Sequence, residues 1–339
     1  MGAIGSLLAV KLLKTGNNVI GLCRHEHYNV IKNNGIVHED INGLKELIKC
    51  DEKFKVFNNR RDLFNNINGE NNIDWILITS KAYSLKDITK EYLNDIIKKI
   101  TYPNINILLV QNGIGNEEIL FKYVKNNYLN VYRAITTHGA YLFQPGFVKH
   151  TGIGDIKIGF PKINFSKSKY NKNNFSKEIK IKRELILPLI KEFNNSNLNS
   201  IFIDDIDLIL WEKIFINVGI NALASIYNIK NGELLNNEKY INIIEKAIIE
   251  AWLISKRLGI KVEENPKKYL NLTLDVAYKT ANNINSMLQD LYKGRKTEIE
   301  FINGYISKYG KKLGISTPIN DYLTNKIRKL EKSNKYKII

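Results

Sequence analysis

The spacing of apolar and polar positions changes partway along the chain, and the change divides it in two. Up to about residue 160, short β-rich apolar runs recur at 18–23 (NVIGLC), 75–80 (WILITS), 105–110 (INILLV) and 131–138 (VYRAITTH), and a period-two run at 154–160 (GDIKIGF) closes the series. Helical spacing fills the intervals at about 5–16, 84–99 and 116–127. Strands alternating with helices in this way predict a parallel, doubly wound sheet. From about 205 onward apolar residues recur every three or four positions, through 206–228, 238–259, 265–288 and 298–314. That period predicts amphipathic or buried helices. The fold class is therefore α/β: a sheet domain over 1–205, an all-helical domain over 206–330, and a tail over 331–339. The run 161–184, nearly all Lys, Asn, Ser and Ile, is expected to be a solvated basic insertion rather than a docking loop.

Composition narrows the class. With 339 residues, 44% hydrophobic and 25% charged, the chain has globular composition and room for two cores. No uninterrupted apolar run approaches the ~18 residues of a membrane helix. Lys11 and Lys14 break the N-terminal apolar stretch, so it does not read as a secretory signal. Cys23 and Cys50 form neither a disulfide framework nor a metal-ligand spacing. These features predict a cytoplasmic protein without a metal, and Cys23 as a small buried hydrophobe. The net charge of +17 is spread along the whole chain with no nucleic-acid motif, so no nucleic-acid partner is expected; a basic surface does suit an anionic cofactor or substrate.

The first residues, Met1-Gly2-Ala3-Ile4-Gly5-Ser6, admit two readings. They fit an N-myristoylation pattern with Gly2 as acceptor. They also fit the second half of a dinucleotide-binding G-x-G-x-x-G, with the first glycine and its strand missing. A helix, the strand 18–23 and then Arg24 follow in order. An acidic residue at that strand end would hold a ribose 2′-hydroxyl, whereas an arginine suits a 2′-phosphate, which predicts NADPH over NADH. Gly2, Ala3, Ile4, Gly5 and Arg24 are thus the candidate cofactor residues of a Rossmann-like domain. Lys81 and Asn112 stand just past strands 75–80 and 105–110, where open α/β sheets bind ligands. His138 has either a catalytic or a satisfied core role.

In the helical half, Lys213, Asn217 and Asn221 recur every fourth residue, which aligns them along one stripe. Their neighbours Leu210, Trp211, Ile214, Phe215, Ile216, Val218 and Ile220 are apolar. Such a stripe is either a solvated face or a polar ladder facing a substrate, with Lys213 as proton donor. Asn283 and Ser286, three apart, can share a helix face. Thr297 and Glu300 have the spacing of a capping box that starts a helix near 297, with Glu298 in its first turn.

Together these segments resemble the ketopantoate reductase (2-dehydropantoate 2-reductase) family. The matches are GAIGS, SKAYS, QNGIGNEE, TTHGA, the run from Leu210 to Leu234, the run from Asn283 to Gly304, and KLGISTP, in the family's order over almost the whole chain. The resemblance implies an N-terminally truncated Rossmann-like domain and a helical catalytic domain. It implies Lys213 as general acid and Glu298 as second catalytic residue. Substrate contacts would come from Asn112, Asn217, Asn221, Asn231, Asn283 and Ser286; Lys81 and Asn112 would touch the cofactor, and Arg24 the NADPH phosphate. Two departures stand out: Ser84 replaces a frequent glutamine, and the first strand and glycine are absent, which suggests an incomplete start. The implied activity is hydride transfer from NADPH to the C2 ketone of ketopantoate, giving pantoate for pantothenate and coenzyme A synthesis in a monomer or homodimer. Alternatives are a reductase of another 2-keto acid with the same fold, or a non-catalytic remnant if the strand is truly missing.

Overall fold

The computed structural model describes residues 1–67, 73–99, 105–124, 129–162, 175–333 and 336. The chain forms two compact units: Met1–Gln111 with Glu117–Ile206, and Asn112–Asn116 with Asp207–Ile339.

In the first unit, β5 (Trp75–Ile78), β6 (Ile105–Leu109), β7 (Leu129–Thr136), β10 (Ile156–Gly159) and β11 (Ser200–Phe202) form one sheet in the order β11–β10–β7–β6–β5. Strands β5, β6 and β7 run parallel; β10 runs antiparallel to β7 and parallel to β11. Strand β1 (Val19–Leu22) pairs, among the described residues, only with β4 (Phe54–Phe57), in parallel. Among the described residues no strand joins β1 to β5, yet one apolar cluster spans the interval. Val19 of β1 and Trp75 and Leu77 of β5 all pack against it, and Leu8, Leu108, Tyr132 and Phe193 lie within it. Helix α1 (Ala3–Lys14) is buried continuously from Gly5 to Val10, which places it inside the unit rather than on its surface.

Periodicity underestimated the strand content. A third sheet, ordered β3–β2–β9–β8, comes from β2 (Ile36–Glu39), β3 (Lys45–Ile48), β8 (Gly139–Gln144) and β9 (Phe147–Gly152). These strands are short, and β3 is mostly exposed, so their alternation is weak in sequence. The turn signal was present: Pro145-Gly146 joins β8 to β9, and Gly146 takes φ 74°, a left-handed conformation suited to glycine. The helix expected at 84–99 is broken into α4 (Leu85–Ile88), a π-helical turn (Thr89–Leu93) and α5 (Asn94–Lys99). Thr89 Oγ1 donates back to the Leu85 carbonyl at 2.7 Å, a competition with the helix ladder that such residues commonly set up.

Helices α2 (His25–Asn34), α3 (Arg60–Asn66), α6 (Asn116–Tyr123) and α7 (Phe175–Asn195) complete the first half of the chain. Of the basic stretch 161–184, positions 163–174 lie outside the described residues. From Phe175 it is helical, the start of a helix whose later turns bury Ile186, Leu189, Ile190 and Phe193. Lys182 of that stretch is buried, with its ammonium 4.2 Å from the centre of the Phe160 ring.

The second unit contains α8 (Ile206–Tyr227), a 3-10 turn (Asn231–Asn236), α9 (Glu238–Arg257), α10 (Lys267–Lys279), α11 (Ser286–Tyr292), a 3-10 turn (Ile299–Phe301), α12 (Asn303–Leu313) and α13 (Pro318–Ser333). Helix α8 is long and apolar enough to cross a membrane by length and composition, but 67% of its most apolar window is buried inside the fold. It is a core helix. The tail expected from 331 begins later: α13 runs to Ser333, and the Tyr336 hydroxyl donates to the Ile226 carbonyl at 2.9 Å.

Three buried histidines load the first unit against acid. Burial lowers the pKa of His27 and of His38 from 6.5 to about 4, and burial also lowers that of His150. The unfolded chain binds protons that these folded rings refuse, so stability falls as pH drops below about 6.5 and the loss is complete near 4. For one ring the limit is roughly 3 kcal/mol. Denaturant unfolding followed between about pH 7.5 and 5 should show a falling midpoint; a midpoint independent of pH would contradict this.

Candidate active site

The polar stripe of α8 is neither solvated nor fully enclosed. Lys213 and Asn217 are half-buried and Asn221 is buried, while Leu210, Trp211, Ile214, Phe215, Val218 and Ile220 pack inward. At 1.5 Å per residue the stripe extends about 12 Å from Lys213 to Asn221.

Backbone hydrogen bonds join two further candidates of this unit, Asn231 and Asn283. The Asn231 N–H donates to the Asn283 carbonyl at 3.1 Å, and the Gly232 N–H to Ala281 at 3.1 Å. A Cβ at Gly232 would lie 2.5 Å from that of Ala281, so the approach requires glycine. The Asn231 amide also donates to Thr280 Oγ1 at 2.9 Å. Asn285, absent from the sequence reading, caps α11: its side chain accepts from the Met287 and Leu288 N–H groups at 3.1 Å each. It also accepts from Ser225 Oγ at 3.3 Å, one turn beyond Asn221 on α8. Asn283 and Ser286 flank this cap and are exposed. The sequence signal for Asn285 was an Asn placed just before an apolar helical run.

Glu298 reaches the site differently from expectation. No capping box forms at 297–300, and the helix that starts there is only the 3-10 turn Ile299–Phe301, whose first N–H donates to Thr297 Oγ1 at 3.2 Å. The Thr297 N–H and hydroxyl both donate to Glu331 at 2.7 Å, and Glu300 turns away into a bidentate pair with Arg328 at 2.6 and 2.7 Å. Long-range ion pairing outcompeted the local box. Glu298, 5% exposed, precedes the 3-10 turn, and α12 begins only at Asn303. Asn303 is fully buried and its amide donates to the Val218 carbonyl at 3.1 Å, which ties the 298–303 segment to the middle of the stripe.

Asn112 belongs to the same unit through its neighbours. The Ile114 N–H donates to the Phe301 carbonyl at 2.9 Å. A Cβ at Gly113, φ 80°, would lie 2.5 Å from that of Phe301. Lys213, Asn217, Asn221, Asn231, Asn283, Ser286, Glu298 and Asn112 are therefore held by one connected set of elements.

In the first unit, Gly2 stands at the N-terminus of α1 with nothing within 4 Å of the position of a Cβ. The first turn of α1, which includes Ala3 and Ile4, has no side-chain cap and no acidic residue. A Cβ at Gly5 would fall 2.3 Å from Thr79 Oγ1, just past β5, the close helix–strand approach for which the third glycine of a phosphate turn is needed. Met1 donates its ammonium to the Leu22 carbonyl. Arg24 follows β1, is exposed, and its guanidinium pairs with no carboxylate among the described residues. An uncapped helix N-terminus and a glycine-dependent helix–strand approach suit the phosphates of a nicotinamide dinucleotide.

Lys81 starts the 3-10 turn Ala82–Ser84. Gln111 holds that turn by donating to Ser80 Oγ at 3.2 Å and the Lys81 carbonyl at 3.4 Å. Gln111 is itself fixed by Arg133, which donates to its carbonyl at 2.7 Å and pairs with Glu117 at 3.0 Å. Arg133 and Glu117 were missed in sequence, although a charge inside the apolar run VYRAIT was a visible anomaly. His138 is a core histidine: its Nε2–H donates to the Leu198 carbonyl at 2.9 Å, and its Nδ1 faces His150 at 3.1 Å.

This geometry belongs to a recognisable class. Over 99% of this chain the fold matches D-mandelate dehydrogenase bound to NADH and anilino(oxo)acetate, with TM-score 0.80, 26% identity and 97% of that chain covered. A PanE/ApbA-family ketopantoate reductase from Ralstonia eutropha JMP134 has the same fold, with TM-score 0.78, 22% identity and coverage of 98% of this chain and 97% of that one. In sequence, the 2-dehydropantoate 2-reductase of Pyrococcus horikoshii is 31% identical over 320 residues, covering 94% of this chain and 91% of the relative. That of Archaeoglobus fulgidus is 28% identical over 331 residues, covering 97% and 95%. The class is that of nicotinamide-dependent oxidoreductases. The chain belongs to the ketopantoate reductase PanE/ApbA family, whose N-terminal profile matches residues 1–162 and whose C-terminal profile matches residues 205–331.

The buried amide of Asn303 gives a stability test. Asn303→Ala removes donors to Val218 and Asn320 and should cost about 2–4 kcal/mol, read by chemical denaturation. A loss below about 0.5 kcal/mol, the level of an ordinary surface change, would contradict the role assigned to it.

Proposed function

We propose that the chain reduces 2-dehydropantoate to pantoate with NADPH, in the cytoplasm, with Lys213 as general acid. The observation that carries this reading is the half-buried Lys213–Asn217–Asn221 stripe within an otherwise apolar helix, together with Glu298 and Asn112 in the same unit. The names of the sequence relatives supply the keto acid.

When bound, the nicotinamide supplies the hydride. The chain supplies the rest. Negative charge grows on the C2 oxygen as the ketone is reduced, and the Lys213 ammonium answers it first by attraction and then by donating a proton. Asn217, Asn221, Asn231, Asn283, Ser286 and Asn112 offer amide and hydroxyl groups to the substrate's carboxylate and hydroxyl. Amides suit this role because each donates and accepts without adding charge beside the reacting lysine. Glu298 accepts from the substrate hydroxyl and fixes the orientation of Lys213. The Gly2–Gly5 turn offers backbone N–H groups to the pyrophosphate, Arg24 takes the 2′-phosphate, and Lys81 contacts the cofactor.

A second reading is favoured by one specific likeness, that to D-mandelate dehydrogenase: the same machinery acting on another 2-keto acid. NADPH oxidation with a panel of 2-keto acids separates the two; 2-dehydropantoate should give the highest kcat/KM, and a higher value for an aryl 2-keto acid would favour the second.

Lys213→Ala should lower kcat by at least about two orders of magnitude with the fold intact, and near-normal turnover would overturn its assignment. Arg24→Ala should weaken NADPH at least about tenfold while leaving NADH nearly unchanged, measured as cofactor Kd.

A further inference from the structure

Three elements of the first unit meet on one buried imidazole. His27, 4% exposed on α2, accepts the Gly146 N–H on Nδ1 at 2.9 Å. A ring that accepts on Nδ1 carries its proton on Nε2 when neutral, so Nε2–H donates to Ser6 Oγ, 3.1 Å away. Burial holds the ring's pKa down at about 4, and it is neutral at working pH. Ser6 is fully buried, and its own N–H donates to the Gly2 carbonyl at 2.8 Å, one turn from the start of α1. On the other side, the Tyr28 N–H donates to the Arg24 carbonyl at 2.8 Å, so His27 sits in the first turn that Arg24 caps. The third element, the Pro145-Gly146 turn, is packed hard against α2: a Cβ at Gly146 would fall 2.4 Å from Val30 Cγ1.

We propose that His27 is a positioning residue for cofactor selectivity: its bonds to Ser6 and Gly146 fix the spacing between the Gly2–Gly5 turn and Arg24. The proposal rests on the cofactor reading above. His27 is buried and touches no phosphate; it acts through the two groups that do. The backbone N–H groups of the glycine turn serve the pyrophosphate common to both dinucleotides. Arg24 serves only the extra phosphate, and it contributes only when held at the matching distance from that turn. An exposed arginine on a long stem gains little from a charge it meets in many geometries. A strut between the two sites turns a flexible arginine into a selective one. Without the strut, the shared contacts persist and the selective one fades.

The test is direct binding of NADPH and NADH to the full chain, followed by quenching of protein fluorescence, which is independent of turnover. His27→Leu keeps bulk and removes both hydrogen bonds; Ser6→Ala removes one with little change in volume. Both should raise the NADPH Kd several-fold to about tenfold while moving the NADH Kd less than about threefold. His27→Gln, which keeps an amide near the Nε2 position, should restore part of the NADPH affinity. Because the effect passes through Arg24, His27→Leu should add little to Arg24→Ala in the double variant. Equal weakening of both dinucleotides, or additivity with Arg24→Ala, would overturn the proposal and leave the cofactor reading intact. A wild-type chain that binds neither dinucleotide would overturn the cofactor reading and this proposal with it. If His27→Leu does not fold, Ser6→Ala alone carries the same comparison.

Discussion

A single buried carboxylate organises the helical unit. Glu250 on α9 is 7% exposed, and its two oxygens accept the backbone N–H groups of Ile319 and Asn320, each at 2.9 Å, and the Asn320 side-chain amide at 2.7 Å. It thereby caps α13 from another helix, with its negative charge at the end where helix dipoles favour one. Burial raises the pKa of this carboxyl, and the donated hydrogen bonds oppose that rise. The chain continues from there. The Asn320 amide also donates to the Ala247 carbonyl at 3.1 Å, and Asn303 donates to Asn320 at 3.0 Å and to Val218 at 3.1 Å. Four helices are thus held by groups that would be orphaned together if one were removed, and orphaned buried polar groups are costly.

That network explains how α8 keeps a polar stripe at all. A helix as apolar as Ile206–Tyr227 would be driven to bury every side. Here its orientation is set by directional bonds at Val218 and Ser225 rather than by apolar contact alone. Lys213 and Asn217 can then remain half-buried on the face that the network leaves open. Stability of the unit and access to the candidate site depend on the same few amides.

Much of this was legible in sequence where residues act through their neighbours along the chain. The parallel strands at 75–78, 105–109 and 129–136 and the helical second half follow from period alone. So does the Lys213–Asn217–Asn221 stripe, because four-residue spacing fixes a helix face. What stayed hidden depends on partners far apart in sequence. Thr297 and Glu300 looked like a local capping box, but Glu331 and Arg328 offered each a stronger partner. The β3–β2–β9–β8 sheet joins residues near 37 to residues near 147, a pairing no local pattern encodes. Arg133 stands out as a charge in an apolar strand, but its partner Glu117 is visible only once the fold buries the two together. The roles of the site residues in cofactor and substrate binding came from the resemblance, since spacing alone left both a solvated face and a substrate ladder open.

The segment Asn112–Asn116 has a consequence for how the chain is built. It lies in the first half of the sequence but groups with the second unit, seated by Ile114 against Phe301 and by Gly115 against Tyr305. The helical unit is therefore discontinuous, and residues 207–339 alone are not the whole of it. A gene fragment cut at the obvious boundary would yield a helical body with a missing wedge, and a chimaera exchanging one half for a relative's would pair mismatched parts. During synthesis, that wedge emerges long before the body that receives it. The boundary drawn by sequence order is therefore not the boundary drawn by packing.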